Sequence, residues 1–288
     1  MKKICNSFID FIRYIEEADE IYTKNNPNNI LLFRGHSNFN FSLLPSAFRN
    51  DESNEFSDCH NIEIEYPEEF NKFDHLSNLV KMQHYGVKTR LLDLTLNPLV
   101  ALYFAACENQ DVDGEVLVFK CKKEEIKHHS SDTILCLSCI PFLTNVDQSN
   151  LLRYCNANKG RILGIGDYYN SIAVHHLYHE IRSQYPTFEY EIRVNDLLKT
   201  YFVAANKDNA RMKAQDGLFA IYGLDKNEGE NWINKQIVSN IIISKRCKKD
   251  IIKSLNKYGI NDSKVYLGLD RAAINLYGKY LKVESINK

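Results

Sequence analysis

From Leu99 to Cys107 the chain passes through nine apolar residues without a polar one, its longest such stretch. A helix that spans a bilayer needs about 20, so this stretch has to be buried by the rest of the chain. Asn97-Pro98 just before it sets its form. Asparagine is a strong N-cap, and proline is favoured at the first helical position. A core helix with Leu99, Leu102, Tyr103 and Ala106 on its buried face is the expectation, and the remaining elements must be arranged around it.

A chain of 288 residues with 44% apolar side chains can bury a large core, in one elaborate domain or two small ones. With a net charge of -1 and many Ile, Leu, Phe and Tyr residues, neither dominant disorder nor polyanion binding through global charge fits. Any nucleic-acid contact has to be a local patch. Asp10, Arg13, Glu16 and Glu17 interrupt what would be the apolar part of an export signal after Lys2-Lys3. The eight cysteines are too sparse and irregular for a disulfide scaffold, so a reducing cytoplasm is expected, with no membrane association.

Ser7, with Asp10 three places on, starts an amphipathic N-terminal helix carrying Phe8, Phe11, Ile12 and Ile15, which we set off as residues 1–24. Asn25–Asn29 is a turn by composition, and Ile30–Phe33 reads as a strand closed by Arg34-Gly35. Residues 50–69, rich in Asp and Glu, read as a solvated loop leading into a helix. That helix carries Phe73, Leu76, Leu79, Val80 and Gln83 and stops near Tyr85-Gly86. Further β-type runs are Glu115–Phe119, Thr200–Ala204, Leu218–Tyr222, Ile241–Ile243 and Val265–Leu269. Leu135–Leu143 and Ile172–Arg182 fall in a helical region between the first two. The expectation is one α+β domain with a helical insertion.

Several patterns carry little chemistry. Cys136-x-x-Cys139 is half a zinc site without a second half, and His175 and His179 lack the glutamate of a hydrolytic zinc helix, so no metal is expected. Lys245, Arg246, Lys248, Lys249 and Lys253 surround Ile251, Ile252 and Leu255, which fits either an amphipathic helix with a solvated outer face or a phosphate-binding patch. Three clusters say more. Phe33-Arg34-Gly35-His36 puts an arginine fork, suited to phosphate or carboxylate, beside a glycine that permits a turn or close approach of a ligand. In Gln83–Pro98, Arg90, Asp93 and Thr95 precede a helix N-terminus whose free amides attract anions, a pattern shared by a ligand site and by a salt bridge with capping. Arg211–Phe219 is polar before a strand, with Gln215 either pointing into a cleft or forming part of a strand-entry turn.

The chain resembles the FRG domain family in Phe33-Arg34-Gly35, Leu44-Pro45-Ser46, Arg49, Gln83-His84, Gly86, Thr89–Asp93, Thr95, Asn97-Pro98 and Ala101–Ala105. The resemblance continues in Arg211, Gln215, Gly217, Phe219 and Leu269-Asp270. On this basis residues 25–288 are set off as the FRG domain. The order of clusters also resembles that of ADP-ribosyltransferases: a strand-borne arginine, a Ser-Thr-Ser-like motif leading into a helix, then a glutamate-bearing strand. That likeness implies an α+β fold with a split mixed or antiparallel sheet, flanking helices and a helical insertion. It implies NAD as substrate, held by Arg34, Gly35, His36, His84, Tyr85, Arg90, Thr95 and Arg211. The catalytic set it implies is Arg34, Asp93, Thr95 and Gln215, where Gln215 stands in the place of the glutamate and supplies no charge. Glu191, of Glu189-x-Glu191, is a substitute carboxylate, with both acids expected on one face of a strand. The implied activity is transfer of ADP-ribose to a protein or nucleic acid by a bacterial toxin or phage-defence effector. The alternative is a non-catalytic module that binds a nucleotide or a partner.

Overall fold

A computed structural model describes residues 2–49, 54–70, 74–205 and 216–265. The strands are β1 (Lys2–Cys5), β2 (Asn29–His36), β3 (Leu91–Thr95), β4 (Gly114–Lys122), β5 (Lys127–His128), β6 (Ile162–Leu163), β7 (Ile192–Arg193), β8 (Tyr201–Ala204), β9 (Gly217–Ile221) and β10 (Ile237–Ile243). The helices are α1 (Phe8–Asp19), α2 (Glu55–Glu65), α3 (His75–His84), α4 (Pro98–Ala106), α5 (Asp132–Cys139), α6 (Asn145–Ala157), α7 (Ile165–Asn170), α8 (Ile172–Gln184) and α9 (Val194–Leu198). Three more helical segments, Lys226–Lys235, Lys248–Lys257 and Asp262–Val265, follow.

Eight strands form one mixed sheet in the order β1-β10-β4-β2-β3-β9-β8-β5, and β6 pairs with β7 in a separate ribbon. The two outer pairs, β1 with β10 and β5 with β8, are parallel, and the rest are antiparallel. The architecture is α+β with flanking helices. Strand β4 is buried on both faces from Gly114 to Phe119, which is why its sequence is continuously apolar after Glu115 rather than alternating.

The Leu99–Cys107 run is the helix α4, capped by Asn97, whose side chain accepts a hydrogen bond from the Leu99 N–H. Its burial is nearly all round, with Val100, Ala101, Leu102, Tyr103, Ala105 and Ala106 inside and Leu99 only half-buried. One side packs on β2 and the other on the helix Lys248–Lys257. The approach to the sheet is close. A Cβ on Gly35 would lie 1.9 Å from the Ala101 carbonyl oxygen, and one on Gly114 would lie 2.2 Å from that of Ala105. Both glycines let a helix backbone rest directly on strand backbone.

On this face of the sheet Leu31, Phe33, Val116, Val118, Ile241 and Ile243 form a core with α1, α4 and the helix Lys248–Lys257. On the other face Leu32, Leu92, Leu94, Leu117, Phe119, Leu218 and Ala220 pack with Leu43, Tyr222 and Ile233. A third core joins α2, α3 and the insertion α5–α8 to Leu91, Phe219 and Ile221 of the sheet.

Several expectations are corrected. Arg34 and Gly35 do not close a strand; β2 runs on to His36 because it pairs with β4 along its whole length, from Asn29 opposite Lys122 to His36 opposite Glu115. Residues 55–65 are helical rather than a loop, and Glu55 is buried. Val265 ends a helical turn, while residues 266–269 of that expected strand, and Phe73, lie outside the described residues. Lys248 is not on a solvated face: its Nζ is buried and donates to the carbonyls of Ser37, Glu108 and Asn109 at 2.7, 3.1 and 2.9 Å. Among the described residues no helix is long and apolar enough to cross a membrane.

Candidate functional site

The strands that carry the three clusters are neighbours, β2-β3-β9. Asp93 and Thr95 on β3 pair with Phe219 and Gly217 on β9. Between β2 and β3 the ladder shrinks to one pair, Phe33 with Thr95, against eight pairs between β2 and β4. The pairing is thus short at this seam, and a pocket of about 150 Å³ opens there. Phe33, Arg34 and Gly35 line it from β2, Asp93, Leu94 and Thr95 from β3, and Val100, Ala101 and Phe104 from α4.

Arg34 donates from Nε to His36 Nε2 at 2.9 Å and from Nη1 to the Asp93 carbonyl at 2.6 Å. It makes no ion pair with a carboxylate side chain among the described residues. Removal from water lowers the proton affinity of the guanidinium, and the nearby Asp93 charge works against that shift. Asp93 is exposed, and its Oδ2 accepts from Gln83 Nε2 at 2.6 Å. Gln83 Oε1 accepts in turn from the Thr89 hydroxyl at 2.9 Å, so Asp93 is held from the end of α3. Thr95 is buried, and its Oγ1 accepts from the Asn97 N–H at 2.9 Å.

The helix N-terminus does not supply the expected free amides. The Leu99 N–H goes to the Asn97 side chain, and those of Val100 and Ala101 go to the Asn97 carbonyl. Among the described residues that line the pocket, Arg34 is the one cationic side chain.

The other sequence candidates separate from this cluster. Arg90 is fully buried and grips Glu55, with Nη2 to Oε2 at 2.6 Å and Nε to Oε2 at 3.1 Å; Nη2 also reaches Gln148 Oε1 at 3.0 Å. Of the two readings open for it, the salt bridge is the one present. His36 is buried with both ring nitrogens engaged, so it holds Arg34 rather than lining the pocket. Gly35 serves the helix packing described above. His84 ends α3 beside Tyr85, their rings 5.2 Å apart, and the exposed Tyr85 borders a separate open groove with Asp58, Tyr66 and Lys88. Glu191 is exposed and precedes β7 in the insertion. Its N–H bonds the Glu189 carbonyl in a tight turn, so the pair does not share a strand face. Arg211, Gln215 and Leu269-Asp270 lie outside the described residues. Among the described residues no group of His, Cys, Asp or Glu side chains is placed to hold a metal ion.

Three supporting contacts escape a sequence reading: Gln83 with Asp93, Glu115 with His36, and Asn240 with Glu115. Glu115 had a usable signal, a lone acid heading the same-face series Glu115, Leu117, Phe119, Cys121. Gln83 stands in the motif without a role that spacing assigns, and Asn240 carries no signal, since an amide on a strand is ordinarily a surface residue.

No curated protein and no solved structure matches the chain. The family model described as FRG domain matches residues 29–114, a span that runs from the first residue of β2 through α4 and contains every side chain lining the pocket. The chain carries an FRG domain.

Proposed function

We propose that this FRG domain binds NAD with its nicotinamide end at the β2–β3 seam, and that the protein is an ADP-ribosyltransferase-like enzyme acting on a macromolecular acceptor. The observation that carries the reading is the pocket itself, where a guanidinium that has no carboxylate side-chain partner among the described residues, an exposed carboxylate and a hydroxyl meet at one seam. Its volume of about 150 Å³ suits one ring, since an engineered cavity of about that size takes up benzene. Whole-ligand pockets are larger, about 300–1,000 Å³. A dinucleotide would therefore bury one end and lay its phosphates across the rim near Arg34, whose fork is suited to them.

The chemistry follows from charge. When the bond between ribose C1′ and the nicotinamide nitrogen breaks, the ring leaves as a neutral amide with the bonding pair. The ribose carbon and ring oxygen then share a positive charge. A carboxylate at that point stabilises the transition state, and Asp93, held by Gln83, is the carboxylate that lines the pocket. The acceptor nucleophile closes on C1′ and gives up its proton. Phe33, Leu94, Val100 and Phe104 keep the ring end apolar.

Calorimetric titration with NAD, and nicotinamide release measured with labelled NAD and cell extract, test the reading. We expect binding and release by the wild type, loss of binding in Arg34→Ala, and retained binding with release lowered about 100-fold or more in Asp93→Asn. Absence of both binding and release in the folded wild type rejects the reading. Binding without release leaves a nucleotide-binding module.

A further inference from the structure

Four adjacent strands, β10, β4, β2 and β3, are joined on one face of the sheet by a single hydrogen-bonded chain. Asn240 Nδ2 lies 2.9 Å from Glu115 Oε2, and Glu115 Oε1 lies 3.0 Å from His36 Nδ1. His36 Nε2 is 2.9 Å from Arg34 Nε, and Arg34 Nη1 is 2.6 Å from the Asp93 carbonyl oxygen. His36 and Glu115 are 3% and 5% exposed, so water does not compete for their polar atoms.

The direction of every bond follows from Arg34. A guanidinium only donates, so His36 Nε2 must be bare and must accept. A neutral imidazole then carries its proton on Nδ1, which donates to Glu115. We propose that Glu115 and Asn240 fix His36 as the Nδ1-protonated neutral ring, and that His36 is the positioning residue that aims the Arg34 guanidinium at the β2–β3 seam. In the nucleotide-binding role this rests on the function proposed above, whereas the ring state and the hold on Arg34 do not.

A second proton on His36 would put an N–H against the Arg34 Nε–H and remove the bond. The environment opposes that proton. Burial lowers the imidazole pKa, the facing Glu115 of β4 pulls it up, and Arg34 of β2 and Arg49, after the Ser46–Phe48 turn, push it down again.

Nitrogen NMR of the full chain at pH 7 reads the His36 ring directly, with protonated Nδ1 and bare Nε2 as the expected result. Two variants then separate aim from bulk. His36→Gln can place an amide oxygen near the Nε2 position and keep an acceptor for Arg34. His36→Asn keeps a donor near the Nδ1 position and offers Arg34 nothing. Exchange of the Arg34 Nε–H with water should rise about ten-fold or more in His36→Asn and stay near wild type in His36→Gln, and NAD affinity should follow the same order. An Nε2-protonated ring in the wild type, or equal exchange in the two folded variants, overturns the proposal. The ring state decides alone if either variant fails to fold. A wild type that shows this ring state and this exchange order without binding NAD removes the functional reading and leaves the positioning role standing.

Discussion

Replacing Arg90 by methionine distinguishes a structural clamp from a ligand contact. Methionine fills much of the arginine volume, so the loss is of charge and hydrogen bonds more than of packing. Glu55, 5% exposed, would lose the guanidinium that meets both of its oxygens and keep only the Arg90 backbone N–H at 2.8 Å. Stranding one member of a buried ion pair costs about 3–5 kcal/mol, a large share of the roughly 5–15 kcal/mol that holds a domain together. Adding Glu55→Gln removes the stranded charge while leaving an oxygen for the backbone N–H of residue 90, so the double variant should recover about 2 kcal/mol or more. Urea unfolding followed by circular dichroism, run as a double-mutant cycle, gives both numbers. NAD affinity measured well below the midpoint should be unchanged in the double variant. If Arg90→Met unfolds like the wild type and has lost NAD affinity, the clamp is wrong and Arg90 contacts the ligand.

Two further outcomes follow from packing and from buried thiols. Gly35→Ala drives a Cβ to 1.9 Å from a helix carbonyl and should cost about 1–3 kcal/mol or more. Gly86→Ala meets no atom within 4 Å but sits at φ +88°, and should cost about 1–2 kcal/mol; urea midpoints in the reverse order would refute the close approach of α4 to β2. Burial pushes the thiols of Cys5, Cys121 and Cys155 up to about 12, whereas unfolded thiols lose their protons near about 8.5. Above that pH the unfolded chain binds fewer protons than the folded one, so stability should fall with rising pH, approaching about 1.4 kcal/mol per pH unit for each thiol. Urea midpoints at pH 8, 9 and 10 check the slope, and a flat profile contradicts the burial of these thiols.

What a sequence discloses here depends on how far apart the interacting residues lie along it. The cap at Ser7, the Asn97-Pro98 start and the left-handed Gly86 are legible because each requirement is met within a few residues. The Arg34, Asp93 and Thr95 cluster is legible as a motif, and the strands then bring it together. Glu55, Glu115 and Lys248 are different, because their partners stand 35, up to 125 and up to 211 residues away. Nothing local tells Glu55 from its acidic neighbours in 51–69, although it alone of the described acids there is buried beneath an arginine. Arg90 stays between two readings for the same reason: a fork near a helix start fits an anion site and a salt bridge equally until its distant carboxylate is known. Glu115 marks the boundary of what alternation can show. Its place at the head of a buried face demands a partner on a neighbouring strand, but only the order β10-β4-β2 names Asn240 and His36 as those partners. In a sheet of mixed topology the residues that touch a ligand can share a motif, whereas the residues that hold them in place are chosen by strand order.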